Sequence, residues 1–405
     1  MHVTHACYLD DASGAAVASR GTMGALAQRG FRDEVLCGAV LDQDREVDPA
    51  HWLMRRGIAF GTRGGGSWSI DARGGRAGEP WHFRLEDRGV PVTMHRSPST
   101  RLHAPGEEER REFLRLFETV ADRFRPDVMV TYGGGRLGPE LLARAKARGS
   151  ATVFALHNLR YDRPEVFGHA DRPIAPSRFA AEHYRGVLGR EIEVLPNLVD
   201  WERVRVERPE PRYVTFVNPS VEKGVYAFAR IADELGRRRP DIPLLVVEAR
   251  GTEADLAACG LDLRRLGTVS LMANTPDPRR FWRVARICLM PSTVAETQGL
   301  AAVEAMINGI PVVASDRGAL PETLGAAGVV LPLPGRLTAS ARTLPDASEV
   351  APWVEAVIRL WDDREAFEAQ RRRALAEARR WSREVLGPRW ERFVREAGAV
   401  RTGSR

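Results

Sequence analysis

Glu296 and Glu304 stand eight positions apart in "ETQGLAAVE", between flanks, "ICLMPS" and "AMINGIPVVAS", that are apolar enough to be core. Carboxylates accept hydrogen bonds from hydroxyls and offer no competing donor, so an acid at each end suits a ligand with hydroxyls at both ends. At ~1.5 Å rise per residue, eight helical residues cover about 12 Å, the scale of a sugar, a pyrophosphate and a ribose in line. Between the acids, "TQG" reads as a helix start following a strand end. Unpaired N–H groups and the positive end of the helix dipole favour a phosphate there. The spacing alone is commonplace, and two solvated helix residues would show it equally. Two other residues raise questions of their own. His157 closes an apolar strand in "FALHNL" and reads either as a satisfied core histidine or as a site residue. Lys223, in "VEKG", is one of two lysines, with Lys146, in a chain whose other basic residues are arginines.

The elements that must position these residues follow a repeating pattern. Short apolar runs alternate with longer amphipathic segments, as in parallel sheets with crossover helices. "HVTHACYL", "EVLCGAVL", "VPVTMHR", "DVMVTYGG", "TVFALH" and "EIEVLP" read as strands of a first half. "YVTFVN", "PLLVVEA", "GTVSLM", "ICLMPS", "PVVAS" and "GVVLPL" read as strands of a second. The charged, proline-bearing stretch "NLVDWERVRVERPEPRY" separates them. The expected fold class is therefore α/β, two Rossmann-like doubly wound domains. They span residues 1–200 and 201–382, with helices after Leu344 and a last one near 383–398 that could pack back on the first domain. Residues 55–101, with "GTRGGGSWSIDARGGRAG", read as a long excursion from the first sheet.

The bulk numbers bound the function. With 405 residues, 43% hydrophobic and 28% charged, the chain is long enough for two full cores and has a globular composition. Its net charge of +6 is a weak hint of an anionic partner, and the dominance of arginine does not of itself indicate nucleic-acid binding. Four scattered cysteines show no CxxC spacing, which disfavours a structural zinc site or a disulfide framework and fits a reducing cytoplasm. "MHVTHACYLDDASG" turns polar within ten residues, unlike a secretory signal, and no apolar run approaches the roughly 20 residues of a membrane span.

The string from Pro291 to Glu322 changes the weight of the two glutamates. Pro291, Ser292, Glu296, Gly299, Glu304, Ala305, Met306, Gly309, Pro311, Val312, Val313, Ala314, Ser315, Gly318, Pro321 and Glu322 form "PSxxExxGxxxxEAMxxGxPVVAS…G…PE". This resembles glycosyltransferase family 4 (group 1), retaining enzymes of the GT-B fold with an E-x7-E signature. "IAPSRFAAEHYRG…EIEVLPNLVD", "VTFVNPSVEKG" and "GTVSLMAN…RRFWRVARICLMPS" are similar to further family segments. The resemblance implies two Rossmann-like domains facing across a cleft, acceptor-binding first and donor-binding second. It implies catalytic roles for Glu296 on the donor sugar, Lys223 on the departing diphosphate and His157 near the transferred sugar. Donor contacts then fall to Glu304 on the ribose and to Thr297, Gln298, Gly299 and Leu300, with backbone N–H groups of the last three on the distal phosphate. Ser13 and Gly14 match the family's N-terminal glycine loop with one glycine in place of a pair. Asn218 stands where the family carries a phosphate-binding arginine, and Arg250, at the next strand's end, is the candidate to replace that charge. Gln298 replaces an aromatic residue and bears on sugar selectivity.

The implied reaction is transfer of a sugar from a nucleoside-diphosphate sugar to an acceptor hydroxyl, a hexosyltransferase chemistry. No metal and no other cofactor is expected, because on this reading the protein's own cations do the work often given to Mg²⁺. Alternatives on the same fold are a sugar-nucleotide epimerase or a phosphorylase. A pyridoxal-phosphate phosphorylase would need a Schiff-base lysine, and Lys223 is the only lysine of the second half. A nucleotide-sugar-binding protein without turnover is the non-enzyme alternative. The acceptor stays open among a glycan, a lipid-linked glycan and a small molecule, with no nucleic acid expected. Nine arginines against four acids between His51 and Arg101 suit either an anionic acceptor, a peripheral contact at the inner face of a membrane, or a solvated loop.

Overall fold

The computed structural model describes residues 1–63, 81–261 and 267–402. The chain divides into two compact units. The first comprises Met1–Pro176, Ala181–Leu198 and Gly387–Arg405, and the second Ser177–Ala180 and Val199–Leu386.

Among the described residues the first unit has nine strands: β1 (His2–Ala6), β2 (Val35–Val40), β3 (Phe60–Arg63), β4 (His82–Asp87), β5 (Val90–His95), β6 (Val128–Thr131), β7 (Ala151–Ala155), β8 (Arg172–Ala175) and β9 (Glu193–Val194). They lie in the order β3-β4-β5-β2-β1-β6-β7-β8-β9. From β5 to β9 every neighbouring pair is parallel. A strand buried on both faces cannot alternate polar and apolar residues, which is why β2 reads VLCGAV and is buried throughout. The order reverses between β1 and β6, so the ends of these strands frame the crevice where doubly wound sheets bind ligands.

The expectation that residues 55–101 form an excursion from the sheet is corrected by β3 and β4. Phe60–Arg63 pairs antiparallel with His82–Asp87, which pairs antiparallel with β5. The segment therefore extends the sheet edge. Phe60, Trp81 and Phe83 meet edge to face and pack beneath it, with Phe60–Phe83 centroids at 5.3 Å and Trp81–Phe83 at 4.6 Å. Arg73 and Arg76, in the Gly-rich connection, lie outside the described residues. Strand β8 was also unforeseen. "RPIA" is four residues long and carries a proline, and only its parallel neighbours β7 and β9 make it a strand.

Among its described residues the second unit holds six parallel strands: β10 (Tyr213–Val217), β11 (Leu244–Val247), β12 (Val269–Met272), β13 (Ala285–Met290), β14 (Val312–Ser315) and β15 (Gly328–Leu331). Their order, β12-β11-β10-β13-β14-β15, is that of a dinucleotide-binding Rossmann sheet, with its switch point between β10 and β13. Phe216 stacks on Phe228 of the crossover helix Val225–Arg238 at 4.4 Å, and Trp353 and Val357 of helix Ala347–Asp362 join the same buried cluster. Among the described residues no helix is long and apolar enough to cross a membrane.

Candidate active site

The sequence candidates of the second unit gather around the β10/β13 switch point. β10 ends at Val217, and the turn after it carries Asn218, Ser220, Glu222 and Lys223 before helix Val225–Arg238 begins. β13 ends at Met290, and Pro291 to Gly299 form the loop before helix Leu300–Ile307. The two loops are stitched together: the N–H groups of Thr293 and Val294 both donate to the Glu222 carbonyl at 3.0 Å. Gly224 completes the seam. Its φ is +85°, and a Cβ there would lie 1.8 Å from the Pro291 carbonyl oxygen, so no other residue fits.

That stitching brings Lys223 and Glu296, 73 positions apart, into contact. Lys223 Nζ donates to Glu296 Oε1 at 2.6 Å, and Ser292 Oγ donates to the same oxygen at 2.8 Å. The Glu296 side chain is 9% exposed and that of Lys223 29%, so a largely buried carboxylate faces a cation that still reaches solvent. Gly318 fixes the backbone of Glu296 through an isolated parallel bridge, with Ala319 N–H donating to the Glu296 carbonyl at 2.8 Å. Ser292 is held in turn by Ser315 Oγ, which donates to its carbonyl at 2.7 Å.

The helix that carries Glu304 starts a residue or two beyond the Gln298 or Gly299 that the sequence suggests. Gly299 is its N-cap with φ 78°, and Leu300 is its first residue. Within the helix the Ala302 and Val303 N–H groups bond the Gly299 carbonyl, which sets the first turn. Thr297 lies half-buried just before it, while Gln298 is buried and Thr323 Oγ1 donates to its carbonyl. Glu304, half-buried within the helix, accepts a hydrogen bond on Oε2 from the Trp282 indole at 2.9 Å.

Asn218 occupies the left-handed region at φ 66°, and its Oδ1 accepts the Gly251 N–H at 2.8 Å. Its side chain thus shapes the loop backbone where a charged residue was expected. Arg250 does come to this place: its guanidinium pairs with Glu222 Oε2 at 2.5 Å, one residue from Lys223 in the chain.

In the first unit, Ser13 caps the helix Gly14–Gln28 just beyond β1, with Gly14 exposed and open space where a side chain would be. His157 follows β7, half-buried, its ring edge-on to Tyr132 at 5.0 Å. Desolvation lowers its pKa to about 4, so the imidazole is neutral at physiological pH. Among the described residues of this unit three side chains have metal-ligating geometry, His5, His103 and Glu109, and none of them was a sequence candidate.

Comparison with known proteins then decides the family. Residues 211–363 match the family described as glycosyl transferases group 1, and residues 13–197 match the glycosyl transferase 4-like domain. The chain belongs to the group 1 glycosyltransferases. Its fold is GT-B. The glycosyltransferase is similar to sucrose-phosphate synthase from Thermosynechococcus elongatus, with 14% identity and a TM-score of 0.69, covering 99% of this chain and 100% of that one. Anabaena HepE in complex with UDP and glucose gives 16% identity and a TM-score of 0.65 over 97% and 98% of the two chains. The pneumococcal O-GlcNAc transferase GtfA in complex with UDP and GlcNAc gives 12% and 0.65 over 98% and 99%. At such identities the likeness establishes the fold alone. Among curated proteins, lipopolysaccharide 1,2-N-acetylglucosaminetransferase of Salmonella typhimurium is 28% identical over 158 residues. That match spans 37% of this chain and 39% of the relative.

Trp282 donates to Glu304, and Ser292 joins Lys223 in donating to Glu296. Sequence reasoning gave neither Trp282 nor Ser292 a role. Ser292 had a signal, standing in the quoted signature string, whereas Trp282 lies 22 positions from Glu304 and only the tertiary fold joins them.

Proposed function

We propose that this glycosyltransferase moves a sugar from a nucleoside-diphosphate sugar to an acceptor hydroxyl, with retention at the anomeric carbon and without a metal ion at the donor site. The observation that carries the reading is the Lys223–Glu296 pair, 2.6 Å apart at the switch point of the second unit and beside a helix start. Both donors to Glu296 sit on Oε1, so Oε2 is the oxygen to meet donor-sugar hydroxyls. The N–H groups of Gln298 to Leu300 hold the distal phosphate, and Glu304, oriented by Trp282, takes the ribose. Arg250 brings a second positive charge from the end of β11. As the bond from the anomeric carbon to the diphosphate breaks, its electron pair goes to the phosphate oxygen. Lys223 and the helix start stabilise that developing charge, the work often given to a divalent cation. The acceptor hydroxyl attacks from the same face and passes its proton to the departing oxygen beside it. The first unit, which carries neutral His157 and the Ser13–Gly14 helix start, takes the acceptor.

Complexes of HepE and GtfA with UDP support trying uridine donors first. The Salmonella relative, an N-acetylglucosaminetransferase of lipopolysaccharide, supports a glycan acceptor. A cytoplasmic setting, with peripheral contact at the inner membrane face through the arginine-rich edge, goes with that acceptor class.

The test is a thermal-shift screen of UDP-, GDP-, ADP- and TDP-sugars, followed by transfer in the presence of EDTA with the product anomer read by NMR. Lys223→Ala and Glu296→Ala are each expected to lower turnover by at least about 100-fold, the cost of removing one preorganised charge-stabilising group. Turnover within a few-fold of wild type in either variant, or an inverted product, would sink the mechanism. A second reading, nucleotide-sugar binding without turnover, is favoured by one observation: Asn218 spends its side chain on the Gly251 backbone. Tight donor binding with neither hydrolysis nor transfer is the result that would select it.

A further inference from the structure

His5, His103 and Glu109 come from three separate elements of the first unit: β1, the loop after β5, and the first turn of helix Glu107–Phe124. Glu109 Oε1 lies 2.8 Å from His5 Nε2, and Oε2 lies 2.9 Å from His103 Nε2. The carboxylate is 4% exposed, and the side chains of His5 and His103 are 13% and 26% exposed, so the cluster is sheltered but open toward solvent on the His103 side. One ligand atom from each residue lies within 4.8 Å of both others. A cation held at about 2.0–2.1 Å spaces tetrahedral ligands about 3.3 Å apart, a separation inside the 4.8 Å that bounds the cluster.

Two further features separate this cluster from an ordinary hydrogen-bonded triad. His103 Nδ1 meets the Arg101 carbonyl at 2.8 Å, which calls for an N–H on that nitrogen. A backbone carbonyl on the remote nitrogen is the usual outer support of a metal-bound histidine, because it turns the lone pair of the other nitrogen toward the ion. As a mere triad, His103 would instead have to donate from both nitrogens, to Arg101 and to Glu109. Beside the cluster stands His95, 1% exposed, with neither ring nitrogen hydrogen-bonded. Phe113 packs edge-on to both its ring and that of His5, at 5.7 Å and 6.1 Å. The neighbourhood therefore offers a further buried imidazole.

We propose that His5, His103 and Glu109 form a binding site for one divalent transition-metal ion of zinc-like preference, tying the end of β1 to the loop and helix that follow β5. Two imidazoles and a carboxylate are borderline-soft N and O donors, the set that suits zinc, cobalt or iron over magnesium or calcium. Three protein ligands leave a coordination position for water or a substrate group. The site belongs to the first unit and takes no part in the metal-free donor chemistry proposed above, so either reading can fail without the other.

The experiment uses the full chain, stripped with a chelator and then given cobalt(II) or zinc(II). Wild type should retain one cobalt per chain through gel filtration, with the visible absorption of a low-coordinate N/O site, and zinc should raise its melting temperature. His103→Ala and Glu109→Gln should lose both effects, since losing a ligand costs more than the about 10–100-fold typical of losing an outer-shell partner. His51→Ala, an exposed histidine outside the cluster, should keep them. If Glu109→Gln does not fold, His103→Ala decides, because His103 lies on a loop and is partly exposed. No retained metal in wild type, or retention undiminished in the ligand variants, overturns the proposal and leaves a hydrogen-bonded triad.

Discussion

Trp282 places its indole against Glu304 with almost no exposure of its own, so its one polar group is committed to one carboxylate oxygen. Trp282→Phe keeps an aromatic ring in the core and deletes only that donor. A hydrogen bond to a charged group contributes about 1.5–3 kcal/mol, so donor KM should rise about ten- to a hundredfold while kcat changes little. A fall in kcat at constant KM would place Glu304 on the reacting centre instead of the ribose. His157 is the second residue whose environment sets its behaviour. Desolvation lowers its pKa to about 4 from 6.5, so between those values the unfolded chain binds the proton that the folded chain refuses. Stability on this account rises with pH and is lost as pH falls from about 6.5 toward 4, by up to about 3 kcal/mol. His157→Asn should therefore lose less stability than wild type between about pH 7 and 4.5 in urea titrations. The imidazole itself should titrate near 4 by NMR; a midpoint near 6.5 would show it solvated.

At the scale of elements, the loop holding Glu296 depends on a glycine in another loop. Gly318 has φ +67°, and a Cβ there would lie 2.4 Å from both the nitrogen and the carbonyl oxygen of Glu296. Gly318→Ala must strain its own backbone, at a cost of about 1–3 kcal/mol, and push Glu296 away from Lys223. The expected result is a stability loss of at least that size together with donor affinity reduced at least tenfold, read by thermal shift and titration; unchanged donor binding would detach the Glu296 position from this bridge. Elements of this kind differ in how well the sequence announces them. All six strands of the second sheet were legible: β11 and β14, buried throughout, must be apolar runs, and the part-exposed edge strands β12 and β15 still carry Val and Leu. Strands β3, β4 and β8 were not. Two flank a glycine-rich stretch and the third contains Pro173, and each owes its existence to a neighbouring strand more than to its own residues. The helix start at Leu300 was legible to within a residue or two from Gly299, while the Trp282–Glu304 and Ser292–Glu296 bonds need the folded chain to exist.

On the scale of the whole molecule, the last residues of the chain complete the first unit. From Gly387 onward helix Arg383–Thr402 belongs to the unit that begins at Met1. Trp390, 4% exposed, donates its indole N–H to the Pro196 carbonyl at 2.8 Å, and Arg389 donates to the Val194 carbonyl at 2.9 Å. Phe393 is buried beneath the Arg172 guanidinium, 4.4 Å from its ring centroid, and Arg29 pairs with Glu391 at 2.9 Å. These contacts close the edge of the sheet formed by β8 and β9, where the two-residue β9 has few bonds of its own. A sheet edge so short is held by what packs on it. Trp390→Ala removes a buried ring and its hydrogen bond together and should cost about 3–5 kcal/mol. Trp390→Phe, which keeps most of the packing, should cost distinctly less. Hydrogen exchange should locate the damage at Arg172–Ala175 and Glu193–Val194, far from residue 390 in the chain. Removing residues 387–402 should abolish protection there altogether. Full protection of β8 and β9 in the truncated chain would mean that the first unit closes without its C-terminal helix.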